Sequence, residues 1–146
     1  MNQIKTEDRI RDAAITAASA ANEMKAVDIL VQEVGPYIGI TDYFVFATAR
    51  NPRQAEAIID KIEEDLRIKD DLKPLNRELA TDGSWSLLDY GDIIVHILSE
   101  EARGFYRIEQ IWPDAPMLDL ESAGGLSDLE YSDRGRALLA DSESLT

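Results

Sequence analysis

Near the start of the chain, apolar residues recur at Ile10, Ala13, Ala14, Ala17, Ala18, Ala21 and Met24. Spacings of three and four gather them on one face of a helix that begins after Thr6, and the predominance of alanine predicts close packing there. The run from Val27 to Val34 changes to strand-forming residues and stops at Gly35-Pro36, a pair that breaks regular structure and opens a loop. Tyr43 to Ala49 is apolar at nearly every position, the mark of an inner strand covered on both faces.

Asn51 offers a side-chain oxygen to cap the next helix, and Pro52 supplies a preset backbone angle at its first position. Ala55, Ile58, Ile59, Ile62 and Leu66 form the buried stripe of that helix, with Glu56, Asp60, Lys61, Glu63 and Glu64 toward water. Pro74 closes it off, and a short strand is expected around Leu75 to Arg77. Trp85 to Asp89 and Ile93 to Leu98 read as a hairpin whose reversal, Asp89-Tyr-Gly-Asp92, contains the glycine that a positive backbone angle favours. A last helix is predicted from Glu100 to Pro113, with Phe105, Ile108 and Trp112 sharing one side. The order predicts an α/β fold, a mixed sheet of about five strands with helices packed on it.

Beyond Leu118 the pattern fades. Gly124-Gly125, scattered serines and seven acids against two arginines leave little from which to build a core. The chain therefore divides into a folded domain over residues 1–118 and an acidic tail over 119–146 that is expected to be disordered. Leu126, Leu129, Leu138 and Leu139 would allow a brief helix there on binding.

Composition narrows the function classes. With 146 residues and 45% hydrophobic content, the chain is large enough for one core without staples. It contains no cysteine, which removes disulfides, thiolate catalysis and thiolate metal sites. The first nine residues carry four charges and no apolar run, so neither a signal peptide nor a membrane span is expected, and a cytoplasmic location follows. A net charge of -14 opposes direct binding to nucleic-acid phosphates and favours a basic protein partner.

Candidate chemistry is sparse. Asp42, Asp89, Asp92 and His96 are the only obvious material for a metal or acid–base site. Asp89 and Asp92 flank a tight turn, where aspartate commonly accepts backbone hydrogen bonds, and His96 lies within a strand on the side of Ile94 and Leu98. No glycine-rich phosphate loop is present, and Gly83-Ser84 lacks the clustered carboxylates of a two-metal nucleotidyltransferase site. The stretch from Trp85 to Trp112 holds both tryptophans, the single histidine and five of the ten Phe, Tyr and Trp residues. Adjacent helical residues cannot share a face, so either Phe105 or Tyr106 is expected at an edge or surface, and Arg103 and Arg107 beside them complete a set typical of protein interfaces.

These motifs resemble the ribosomal silencing factor family, also called Iojap-like proteins. The resemblance runs over roughly residues 7 to 116. It is carried by the alanine-rich helix, Lys25-Ala-Val-Asp-Ile29, Thr41-Asp-Tyr-Phe-Val45, Arg53-Gln54, Trp85, Leu88-Asp-Tyr-Gly-Asp92, Val95-His96, Arg103, Phe105-Tyr106 and Trp112. The family usually has Glu-Gly before the turn that leads to the tryptophan, whereas Glu78 is followed here by Leu79.

The resemblance implies a domain similar in topology to nucleotidyltransferases but without their catalytic residues. It also implies a translational repressor with no cofactor and no reaction, which binds protein fourteen of the large ribosomal subunit and blocks joining of the small subunit when nutrients are short. The expected contact group is Trp85, Leu87, Leu88, Asp89, Tyr90 and Tyr106, with Asp42 and Glu78 at the rim. Leu87 and Leu88 point to opposite faces of one strand, so only one of them can reach the surface. Two alternatives remain at this point: a metal-dependent nucleotidyltransferase or hydrolase using Asp89, Asp92 and His96, and a homodimer formed through the aromatic surface.

Overall fold

The computed structural model describes residues 3–143. Helix α1 (Gln3–Glu23) leads to strand β1 (Val27–Glu33), a one-turn helix α2 (Gly35–Ile38) and strand β2 (Tyr43–Ala49). Helix α3 (Pro52–Asp70) is followed by β3 (Asn76–Glu78), the hairpin of β4 (Trp85–Asp89) and β5 (Ile93–Ser99), and helix α4 (Glu100–Tyr106). A 3-10 turn over Ile108–Gln110 and two further helices, α5 (Leu120–Gly124) and α6 (Asp133–Glu143), complete the order. Among the described residues, no helix is long and apolar enough to cross a membrane.

The five strands form one mixed sheet in the order β1-β2-β5-β4-β3, with only the central β2 and β5 parallel. The two central strands are buried along nearly their whole length, as the uninterrupted apolar run of β2 predicts. On one face, α1 and α3 close over Ile29, Val31, Val45, Ala47, Val95 and Ile97. The alanines of α1 are what allow this: Ala14, Ala17, Ala18 and Ala21 are fully buried, and a larger side chain at any of them would lift the helix off the sheet. Asn51 caps α3 as expected, accepting the Gln54 amide at 2.8 Å.

The opposite face carries Leu30, Phe44, Phe46 and Leu98, and its cover comes from α4, the 3-10 turn and the C-terminal segment. Here the structure departs from the expected elements in two places. The helix after Ser99 stops at Tyr106 because Arg107 enters the left-handed region at φ 48°, so Phe105, Ile108 and Trp112 do not share a side. What faces inward from α4 is Ala102 and Arg103, and the chain reverses so that Glu109 can pass beneath the Arg103 guanidinium, at 3.5 Å.

The second departure is the segment after Leu118, expected as a disordered tail. It folds back along the free edge of β1. The Leu118 amide donates to Val31 O at 2.8 Å, and the Asp28 amide to Glu130 O at 3.0 Å. The Tyr131 hydroxyl donates to Ile29 O at 2.7 Å, and Leu138 is buried in the second core. Acidic composition argues against a self-sufficient core, but this segment needs none, because it borrows an existing strand edge and core. Residues 144–146 of that expected tail lie outside the described residues.

Asp28 is the hinge of this docking. A bulge in β1 gives it a φ of 51° and turns its carboxylate inward, where it accepts the Ser132 amide at 2.8 Å and the Ser132 hydroxyl at 2.6 Å. Gly135 comes so close that a Cβ there would sit 2.1 Å from Asp28 Oδ1.

His96 belongs to the second core as well. It accepts the Trp85 indole N–H at Nδ1 across 3.2 Å, stacks on Phe46 and meets Phe44 edge-on. Burial, with a smaller contribution from the Arg103 charge, lowers its pKa to about 4 from an ordinary 6.5.

Two predictions follow from this packing. Helix propensity alone would make Gly135→Ala stabilising, yet it should cost about 2 kcal/mol in urea unfolding, because Asp28 must retreat from Ser132. Gly104→Ala, whose Cβ meets nothing within 4 Å, should instead gain about 0.5–1 kcal/mol. The second concerns pH. Since the unfolded imidazole binds its proton near 6.5 and the folded one only near 4, His96 supports the fold fully above that window. It should withdraw about 3 kcal/mol as pH falls through the window, and His96→Gln should flatten that part of the stability–pH curve.

Candidate functional site

The cover over the second face ends short of β3, β4 and the outer part of β5, so the alternation of β4 decides what is presented there. Ser86, Leu88 and Tyr90 point to the α1 and α3 side, while Trp85, Leu87 and Asp89 point to the open side. Pairing places Glu78 beside Leu87 and Leu87 beside His96; one row along, Asn76 lies beside Asp89 and Asp89 beside Ile94. Glu78, Leu87, Asp89 and Ile94 thus share one surface.

This decides which of Leu87 and Leu88 faces outward, and it places two members of the expected contact group inside the fold. Leu88 is 0% exposed and Tyr90 7%, both inside the core beneath α1 and α3. Burial is the main cause of the raised Tyr90 pKa, with the Glu63 charge second. Arg103, grouped by sequence with the surface aromatics, is only 2% exposed, and its Nη1 donates to Thr48 Oγ1 at 2.8 Å. Arg107 is exposed.

At the α4 end the surface is aromatic. Tyr106 is 51% exposed with its ring 4.9 Å from that of Trp85, and Phe105, 78% exposed, meets Tyr106 edge-on at 5.0 Å. Behind them the hydrogen bond to His96 fixes the indole, and the His96 stack on Phe46 ties it to the core. A continuous series of rings therefore runs from Phe46 outward through His96, Trp85 and Tyr106 to Phe105. At the other end Phe44 contacts Trp112 at 5.7 Å, and the Tyr37 hydroxyl donates to Asp114 O. The exposure of Phe105 and Ile94 could not be read from their spacing, because it depends on where α4 stops and how far the cover extends.

Carboxylates border the face. Glu78 is exposed beside Leu87, and Asp89 is half-buried with its carboxylate accepting the Gly91 amide at 2.8 Å, the turn chemistry expected of it. Asp42 is exposed at the start of β2, where its amide donates to Asp92 O. Partial burial, and then the neighbouring Asp92 charge, raise its pKa. The structure does not bring Asp89, Asp92 and His96 together as a metal-dependent enzyme would require. Asp89 is engaged in its own turn, Asp92 is exposed, and His96 is buried behind Trp85. Among the described residues, no group of three or more histidines and carboxylates is placed to share a metal ion.

Known proteins share this sequence and architecture. A family model described as "Ribosomal silencing factor during starvation" matches residues 7–143, which includes the C-terminal segment. A ribosomal silencing factor of Bacillus subtilis is 30% identical over 105 residues, covering 72% of this chain and 88% of that protein. The chloroplastic Iojap protein of Zea mays is 36% identical over 107 residues, 73% of this chain and 46% of its own longer one. Among solved structures, a protein from Chromobacterium violaceum superimposes with a TM-score of 0.67 at 25% identity, over 70% of this chain and 85% of that one. By the extent of the family match and by this fold, the chain belongs to the ribosomal silencing factor family.

Proposed function

We propose that this chain represses translation by binding protein fourteen of the large ribosomal subunit through the open face of β3, β4 and β5, so that the small subunit cannot join under nutrient limitation. The observation that carries the reading is the arrangement of that face: an apolar and aromatic centre of Leu87, Ile94, Trp85 and Tyr106 flanked by the carboxylates of Glu78 and Asp89. The whole molecule bears a net charge of -14. Such a charge speeds encounter with a basic protein, and desolvated aromatic contacts then set the dissociation rate. Trp85 and Tyr106 suit anchoring because their rings are already held in place, and ordering them on binding costs little. No cofactor, metal or membrane enters this mechanism, and the site of action is the cytoplasm. Pairing of two copies through the same face would compete with the ribosome.

The test is cosedimentation with isolated large subunits, followed by addition of small subunits. The wild-type chain should pellet with large subunits and suppress joining; failure of either ends the proposal. Leu87→Ala and Tyr106→Ala should each weaken binding by about 2 kcal/mol, some thirtyfold, while Tyr90→Phe leaves affinity unchanged. Raising the salt concentration should slow association and leave dissociation nearly constant. Light scattering should show any dimer dissolving as large subunits are added.

A further inference from the structure

The Arg103 carbonyl, near the end of the seven-residue helix α4, receives two donors: the Arg107 amide at 3.3 Å and the Arg134 guanidinium at 2.9 Å. The same guanidinium is ion-paired with Glu109, in the 3-10 turn that follows. Arg134 therefore spans both sides of the left-handed residue Arg107, tying the last turn of α4 to the first turn after it. Tyr106, on the outward side of that reversal, rests against Trp85; Ile108, on the inward side, is buried. A short helix has little internal means of fixing its end, since its final carbonyls lack partners within it, and a cation placed there satisfies them.

Arg134 is itself held firmly. It lies in the first turn of α6, two residues after Ser132, whose amide and hydroxyl both donate to Asp28, and Leu138 anchors the same helix in the core. From this geometry we infer that Arg134 is a positioning residue for the docking face: it sets the corner between α4 and the 3-10 turn, and through it the placement of Tyr106 against Trp85. The inference rests on the docking face proposed above, and it gives the C-terminal segment a part in recognition without contact with the partner.

The geometry separates this role from general stabilisation. Without Arg134, Glu109 keeps Arg103 as a counter-ion at 3.5 Å, and α6 keeps its anchors at Asp28 and Leu138. The loss falls on the corner. Both acceptors are served from one nitrogen, Nη2, so a lysine ammonium can reach for the same pair, but its compact, more strongly hydrated charge lacks the planar guanidinium's preorganised geometry and replaces the function only in part.

The experiment uses the full chain labelled with 5-fluorotryptophan, which reports Trp85 and Trp112 separately by fluorine NMR, together with binding to large subunits. In Arg134→Ala the Trp85 resonance should shift while Trp112 stays, and affinity should fall about tenfold; Arg134→Lys should recover part of both changes. An unmoved Trp85 resonance overturns the inference. So does a joint shift of both tryptophans, which is what general loosening produces, or a shifted Trp85 with unaltered affinity. The fluorine measurement needs no ribosome, so it decides the positioning role even if the wild-type chain fails to bind large subunits. Should Arg134→Ala not fold, Arg134→Gln, which keeps one donor and loses the charge, is put through the same comparison.

Discussion

The Glu109 side chain has no exposed surface, and the second half of the structure is organised around that fact. Burying a carboxylate costs several kcal/mol unless cations and hydrogen bonds surround it. Arg103 and Arg134 supply the cations, and the inward-turned Asp28 balances the extra positive charge, since both Glu109 and Asp28 oppose the lowering of the Arg103 pKa by burial. These four ions come from β1, α4, the 3-10 turn and α6. Charge neutrality inside the protein is reached only when all four elements are in place together. Such clusters contribute little net stability compared with a hydrophobic core, but a partly assembled one is strongly unfavourable. Any arrangement of the C-terminal half that separates these four groups leaves a buried charge without its counter-ion.

That arrangement explains why the sheet is closed on one face and open on part of the other. Helices α1 and α3 are long enough to span the strands they cover. On the opposite face the ion cluster draws α4 and α6 toward β1 and β2, and Gln32 pulls the intervening loop in the same direction by donating to the carbonyls of Glu109, Trp112 and Ala115. Among the described residues, none covers this face of β3 and the outer part of β4. The partial exposure of the apolar side chains that β4 directs outward is therefore a consequence of where the cover is anchored, and it carries a solvation cost that the proposed docking would remove.

Elements announced by neighbouring residues were legible in the sequence. The Asn51 cap and Pro52 fixed the start of α3, the apolar run of Tyr43 to Ala49 fixed a central strand, and Gly91 fixed the hairpin. The features that escaped depend on partners distant in the chain. Asp28 and Ser132 are 104 residues apart, and Glu109 and Arg134 are 25 apart, so neither the ordered C-terminal segment nor the reversal at Arg107 has a local signature. The same limit applied to the site. Alternation showed that Leu87 and Leu88 face opposite ways, but which face lay open depended on the position of a cover built from those distant pairs. Of the residues named from the sequence, Trp85, Leu87, Asp89, Glu78, Asp42 and Tyr106 are at least partly exposed, whereas Leu88 and Tyr90 are buried.

The proposed role, acting by occupying space, needs a contact that forms quickly and then persists, and these demands fall on different parts of this molecule. Speed comes from charge spread over the whole surface, which needs no particular geometry. Persistence depends on whether the anchoring rings are already in their bound positions, because each side chain ordered on docking subtracts about 0.5–1.5 kcal/mol from the contact. Trp85 is held by His96, and in the positioning role proposed for Arg134 the corner it spans holds Tyr106. The buried ions and the exposed aromatics are thus two ends of one device, in which electrostatics inside the fold fixes the apolar surface outside it.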